Sequence, residues 1–311
     1  MKQPLLPYLI LPYTRLELPG WGYLYSAMGG SSQHEDKWSA APTRVIRGKL
    51  HGYSMPCNLS NWSERTTYFL GRFYELGTQL LMKQVLRPGD RFLDVGANIG
   101  MLTLTAAALV TETGCVESFE PNPWCVERIE TMVRQNGLSQ VHLHPFALSD
   151  SEDSLTLSVI GGHSGTGTLS RPMAEEEESV SQTIQIRSMV GDQAVMATTW
   201  PVRLIKIDVE GFEYRVLSGL TETLKMWRPV VVTEMIDYHL QRAGSSRQQI
   251  VEMMYRFGYQ PYGLVTRRNW LDQKLRIVPI TAPIEDAQFR EFLWLRSTDE
   301  SHMALSEFIH R

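Results

Sequence analysis

The residues best placed to do chemistry are acids standing at the ends of apolar runs. Asp94, Gly96, Asn98 and Gly100 form the string Asp94-Val-Gly-Ala-Asn-Ile-Gly100 directly after one such run. Gly96 and Gly100 permit backbone conformations and close approaches that a Cβ would block. The string reads as a strand-to-helix turn at the carboxyl end of a strand, where open α/β sheets place ligands. It is not G-x-G-x-x-G, because an acid precedes the first glycine and no third glycine follows in place. A carboxylate there repels a pyrophosphate but suits the cationic amino group of a methionyl tail. Glu120 ends the next apolar run, where an acid can accept hydrogen bonds from both ribose hydroxyls. A ligand-free βα turn and an ordinary exposed Glu before Pro121 are the plain alternatives, and the pairing of the two positions weighs against both. Asp208 and Glu234 end two further runs. If they converge, they can act as a base toward a hydroxyl or offer oxygen ligands to a divalent ion. The ordinary alternatives are a helix cap for Asp208 and a first-turn carboxylate for Glu210. His239 and His163 are weaker base candidates, and Asp237 a weaker metal ligand.

These side chains need elements to hold them. From residue 91 onward strands and helices alternate. Strands are expected at 91–95, 115–120, 141–147 (ending on Ala147), 202–207 and 229–233, with helices at 100–110, 123–136, 213–227 and 250–257. Gly137 is a helix stop. Strands near 260–264 and 291–296 close the chain. Such an order implies right-handed crossovers and a doubly wound, mostly parallel α/β sheet. Residues 63–86 carry helical spacing at Phe69, Phe73, Leu76, Leu80 and Leu81, with Ser63 as the cap and Arg87-Pro-Gly-Asp90 as the stop. Residues 1–62, rich in Pro, Gly, Ser, Trp and Tyr, read as an irregular N-terminal extension with short strands such as Thr43 to Arg47. Residues 63–311 form the main domain. Within it, 149–191 break the alternation. Leu155-Thr-Leu-Ser158 and Thr183-Ile-Gln-Ile-Arg187 alternate in polarity, so the segment reads as an inserted antiparallel ribbon. The glycines at 161–167 give it a mobile tip, and the glutamates at 175–178 a solvated loop.

Bulk composition excludes several classes. The formal charge of -4 lacks the basic excess that grips phosphates, which argues against a nucleic-acid partner. Arg267-Arg268 reads as a solvated turn. With 43% hydrophobic residues the chain of 311 can bury a large core. Cys57, Cys115 and Cys125 are odd in number and lack CxxC spacing, which suggests neither disulfides nor a zinc site and fits a reducing cytoplasm, and Cys115 and Cys125, in apolar contexts, read as inert buried thiols. The apolar stretch at 4–13 is broken by prolines and too short to cross a bilayer, and no other segment is long enough, so a soluble protein is expected. The glycosylation sequons at Asn58 and Asn61 read as chance. Oligomeric state stays open.

Three strings carry a resemblance: Phe92-Leu-Asp-Val-Gly-Ala-Asn-Ile-Gly100, Ser118-Phe-Glu-Pro-Asn-Pro123 and Leu204-Ile-Lys-Ile-Asp-Val-Glu-Gly-Phe-Glu213. They resemble the FkbM family of methyltransferases. Phe73-Tyr-Glu-Leu76 is similar to the helix leading into that family's core, and Val231-Val-Thr-Glu234 to its fifth strand. The resemblance implies a class I methyltransferase (Rossmann-like) sheet, S-adenosylmethionine as donor, and O-methylation of a sugar or natural-product hydroxyl. By position, Asp94, Gly96, Asn98 and Gly100 would line the methionyl end, Glu120 would hold the ribose, Ala147 would lie near the adenine, and Asp208 near the methyl group. A metal requirement stays open. The extension and the ribbon are expected to flank the pocket mouth and help select the acceptor. A non-catalytic protein that keeps cofactor binding is the main alternative. A dinucleotide-dependent oxidoreductase is the weaker one.

Overall fold

A strand covered on both faces must bury every side chain, and Arg91–Val95 does so at all its positions. The computed structural model describes residues 4–160, 167–169, 180–269, 272–281, 284, 288–297 and 299–309. Its strands, in chain order, begin with β1 (Thr43–Arg47), β2 (Ser54–Asn58), β3 (Arg91–Val95), β4 (Cys115–Phe119) and β5 (Val141–His144). The ribbon contributes β6 (Ala147–Ser149), β7 (Ser154–Ile160), β8 (Gly167–Thr168) and β9 (Val180–Val190). β10 (Val202–Ile207), β11 (Val230–Glu234), β12 (Gln260–Asn269), β13 (Asp272–Pro279) and β14 (Glu291–Leu295) complete the set.

The central sheet has eight strands in the order β13-β12-β14-β11-β10-β3-β4-β5. β11, β10, β3, β4 and β5 run parallel. β14 is reversed against β11, and β12, antiparallel to β14, returns to the direction of the core. Side chains alternate across this sheet with the period of two that a pleat imposes. Phe92, Leu204, Val230 and Val232 join one hydrophobic cluster, with Leu104 and Val116. Leu93, Ile205 and Val231 join a second, with Val216 and Leu217. Both faces are therefore covered by helices, and the doubly wound, mostly parallel α/β architecture follows.

Several local expectations are corrected. The helix read over 63–86 is two helices, Trp62–Leu70 and Leu76–Val85. Gly71, in the left-handed region at φ 71°, ends the first. Asn61, not Ser63, is the cap: its side chain accepts from the Ser63 and Glu64 N–H groups. Phe73-Tyr-Glu75 therefore lies in a break between helices, not inside one. The helix read over 213–227 is likewise divided, into Glu213–Gly219 and Thr221–Met226. The strand read over 141–147 stops at His144, and Ala147 instead opens β6, which pairs with β9 outside the central sheet. The first residues hold short helices at Leu6–Leu9, Leu11–Arg15 and Trp21–Ala27 as well as the β1–β2 hairpin. Pro7 and Pro12 occupy first-turn positions, where the missing N–H costs nothing, so they start helices rather than prevent them. Trp38, Met55, Cys57 and Leu59 from this segment are packed in the same cluster as Phe92. The antiparallel ribbon is present as β7 against β9, with β8 on its other edge. Its glycine-rich tip at 161–166 and the glutamates at 175–178 lie outside the described residues, as does His163. All three cysteines are buried and outside any disulfide, and among the described residues no helix is long and apolar enough to cross a membrane.

Candidate functional site

The parallel register brings the expected acids to one edge of the sheet. Lys206 is level with Asp94 across β10 and β3, and Ile207 with Thr233 across β10 and β11. Asp208 and Glu234, one residue further along, are therefore neighbours. The turn after β3 is tied down by backbone bonds: Gly96 and Ala97 N–H donate to Phe119 O at 3.0 and 3.1 Å, and Asp208 N–H to Val95 O at 3.0 Å. Gly96 is required by this packing. Its φ is 78°, and a Cβ there would sit 1.9 Å from the Asp208 carbonyl oxygen. Asn98 also takes a positive φ, 51°, a conformation Asn tolerates better than most residues.

Two adjoining cavities open here and share Gly96, Asn98, Asp208 and Glu210. The first, about 700 Å3, is lined by Phe119, Glu120, Ala147 and Leu148 together with Leu157 and Leu169 of the ribbon. Glu120 is 7% exposed. Its two carboxylate oxygens accept from Asn98 N–H and Asn122 N–H, each at 2.8 Å. Burial pushes this carboxyl up to about 7 against the pull of those two donors. The result is an acid fixed at the rim of an apolar slot.

The second cavity, about 1130 Å3, is lined by Asp94, Lys206, Asp208 and Glu234 together with Trp62, Tyr74 and Glu75. Asp94 is 1% exposed and accepts from Thr103 Oγ1 at 2.7 Å. Burial raises its carboxyl above the ordinary Asp value. Lys206 Nζ reaches Asp208 Oδ2 at 2.7 Å. Burial opposes the charges of both, yet Asp208, Glu75 and Asp94 hold Lys206 above its ordinary value, and Lys206 holds Asp208 below its own. Glu234 shares a hydrogen bond with Asp208. Burial and the Asp208 charge push Glu234 up to about 10, so it is the protonated member of that pair at neutral pH.

Asp94, Gly96, Asn98, Glu120, Ala147, Asp208 and Glu234 thus converge on one cleft. Gly100 does not line it. It is the residue ahead of the helix Met101–Val110, at φ 78°, and lies against Ile129. Ala147 reaches the cleft from β6 rather than from the end of the third core strand. Glu210 is not a first-turn carboxylate, because the helix starts at Glu213. It sits in the turn after β10 at φ 53° and pairs with His239 Nδ1 at 2.6 Å. That hydrogen bond raises the His239 pKa and ties up the imidazole. Asp237 pairs with Arg247 at 3.2 Å. Among the described residues, no group of three or more His, Cys, Asp or Glu is placed to hold a metal ion. Sequence reasoning assigned no role to Lys206 or Glu75. Both stood inside the strings Leu204–Glu213 and Phe73–Leu76, and their burial beside like and unlike charges is visible only in the fold.

A parallel sheet with one reversed strand inserted before its last parallel member, and acids lining a cleft beyond its carboxyl edge, is the class I methyltransferase fold. Residues 94–261, more than half of the chain, match the methyltransferase FkbM domain, and the chain belongs to that family. It is similar to the hexuronic acid methyltransferase AglP of Haloferax volcanii, 28% identical over 205 residues that cover 63% of this chain and 78% of that protein. It is also similar to the 31-O-demethyl-FK506 methyltransferase FkbM of Streptomyces tacrolimicus, 29% identical over 165 residues, or 44% of this chain and 62% of that protein. Among solved structures, a methyltransferase FkbM of Methylobacillus flagellatus aligns with 76% of this chain and 54% of its own, at 14% identity and a TM-score of 0.39. The match thus spans less than two thirds of the Streptomyces and Methylobacillus proteins.

Proposed function

We propose that the chain transfers the methyl group of S-adenosylmethionine to a hydroxyl of a small molecule, a sugar or related natural product. The observation that carries this reading is the chemical contrast between the two halves of one cleft. An apolar slot with a fixed carboxyl at its rim, Glu120, suits a nucleoside whose ribose hydroxyls need acceptors. In this reading Ala147, Leu157 and Leu169 flank the base. Gly96, Asn98 and Asp94 face the methionyl end, whose ammonium suits a buried acid, and Gly100 keeps the shape of the turn. Asp208 and Glu234 hold the acceptor beside the methyl group. When bound, S-adenosylmethionine supplies a methyl already activated by a sulfonium, so the residues chiefly supply alignment. The names of the two relatives, one acting on hexuronic acid and one on a 31-O-demethyl compound, support an oxygen acceptor.

The test is thermal unfolding with S-adenosylhomocysteine. At a hundredfold excess over its dissociation constant the ligand should add about 2.7 kcal/mol by linkage, and NAD should add nothing comparable. Stabilisation by NAD and not by S-adenosylhomocysteine would overturn the assignment. A screen of glycosides and uronic acids with labelled methyl donor then identifies the acceptor.

A further inference from the structure

We propose that Glu75, rather than Asp208 or Glu234, takes the proton of the acceptor hydroxyl. The assignment rests on the methyl-transfer reading. The cofactor's methionyl end, in that reading, lies along the turn after β3, so the acceptor must meet another part of the lining of the same cavity. Part of that lining is the break between the helices Trp62–Leu70 and Leu76–Val85, where Phe73, Tyr74 and Glu75 line the cleft.

The break is built to hold a side chain in place. Arg72 Nη1 donates to Phe73 O and Tyr74 O at 2.7 and 3.1 Å. Gln79 Nε2 donates to Phe73 O and Glu75 O at 2.8 and 2.7 Å. Arg72 is itself gripped by buried Glu17, at 2.8 and 2.6 Å from Nε and Nη2. Lys49 and Gln273 bond the same Glu17 carboxylate. Three distant parts of the chain therefore brace the short segment that presents Glu75.

The competing acids are engaged. Asp208 is bonded to both Lys206 and Glu234, and Glu234 carries the proton of that pair. Around Glu75 stand Tyr74 on its own segment, Lys206 on β10, Asp208 just after that strand, and Glu291 on β14. Glu234, Asp94 and Arg290 lie further along the same cleft. Burial raises the Glu75 carboxyl; Lys206 opposes the rise, Glu291 and Asp208 add to it and a hydrogen bond from Tyr74 lowers it, leaving it at about 7, where a carboxylate is strong enough as a base to act. In the step, the acceptor O–H bond breaks and its proton goes to the Glu75 carboxylate. The oxygen pair forms the new O–CH3 bond while the C–S pair returns to sulfur. The products are a methyl ether, S-adenosylhomocysteine and a protonated Glu75.

Two measurements test this. The first follows glutamate carboxyl carbons by NMR in 13C-labelled protein saturated with S-adenosylhomocysteine. Glu75, Glu120 and Glu213 are each raised to about 7, so one of the signals titrating near 7 should vanish in Glu75→Gln; if none of them is lost there, or if the signal lost titrates in the ordinary glutamate range, the proposal falls. The second uses methyl glycosides with labelled S-adenosylmethionine. Glu75→Gln should lower kcat by about a hundredfold or more and abolish its acidic limb, with S-adenosylhomocysteine affinity unchanged. Glu75→Asp should keep the limb and part of the rate, and it covers the case of a Gln variant that does not fold. A kcat within about tenfold of wild type, or an acidic limb that survives in Glu75→Gln, sinks the idea. Failure of the wild type to bind S-adenosylhomocysteine would instead sink the methyl-transfer reading itself.

Discussion

Replacing Glu120 by Ala separates the cofactor reading from an ordinary structural role. The wild-type carboxylate bonds the Asn98 and Asn122 N–H groups and, in the proposed complex, the ribose hydroxyls as well. Hydrogen bonds to a charged group contribute roughly 1.5–3 kcal/mol, so the variant should bind S-adenosylhomocysteine about 12- to 150-fold more weakly. The freed Asn122 donor is buried and the freed Asn98 donor partly so, so folding should suffer too, by about 1–3 kcal/mol. pH adds an independent signature. Burial sets the free carboxyl at about 7, against an ordinary 4.5. A ligand that needs the carboxylate then loses affinity as pH falls through 7, by about tenfold between pH 8 and pH 6. Stability of the ligand-free protein runs the other way. Because the folded pKa is raised, the native state holds more protons than the unfolded one between 4.5 and about 7, so Glu120's contribution is full below that window and lost as pH rises across it. Isothermal titration calorimetry at both pH values reads the affinity, and urea unfolding reads the stability. A folded Glu120→Ala protein that binds S-adenosylhomocysteine within about threefold of wild type at pH 8 would refute the ribose role. So would a wild-type affinity that is flat from pH 6 to pH 8.

Gly96→Ala places a Cβ against the Asp208 carbonyl oxygen at φ 78°. Left-handed strain and overpacking together should cost about 2–5 kcal/mol and abolish S-adenosylhomocysteine binding. Calorimetry showing wild-type affinity in a folded variant would mean that the turn has room to spare. Arg72→Met leaves the buried Glu17 with Lys49 and Gln273 alone. Losing one partner of such a pair should cost about 3 kcal/mol in urea unfolding, and a loss below about 1 kcal/mol would show that the brace is not a structural necessity.

The sheet was legible because strands covered on both faces carry consecutive apolar residues at their centres. Phe92-Leu93 and Leu204-Ile205 announce that condition locally, and β3, β10 and the helix Pro123–Asn136 lie where their patterns place them. The elements that failed depend on partners far away in sequence. The helical spacing of residues 63–86 continues past Gly71 without a gap, so the one local stop signal, Gly71 itself, is masked by the pattern on either side. The break is held by Arg72, whose partner Glu17 is 55 residues earlier. Ala147 has the apolar neighbours of a third core strand, yet its pairing with Ser188 draws it into the ribbon instead.

The same division runs through the site. Asp94, Glu120, Asp208 and Glu234 could be named in advance because each ends a recognisable strand, and parallel strands in register deliver their ends to one edge. What each acid does there depends on its neighbours. Asp208 and Glu234 look alike in sequence, but Lys206 holds the first ionised, while burial and the first's charge keep the second protonated. Position along a strand thus predicts presence at the site, whereas the division of labour is set by which acid faces the buried ammonium of Lys206, and that is a property of the assembled sheet.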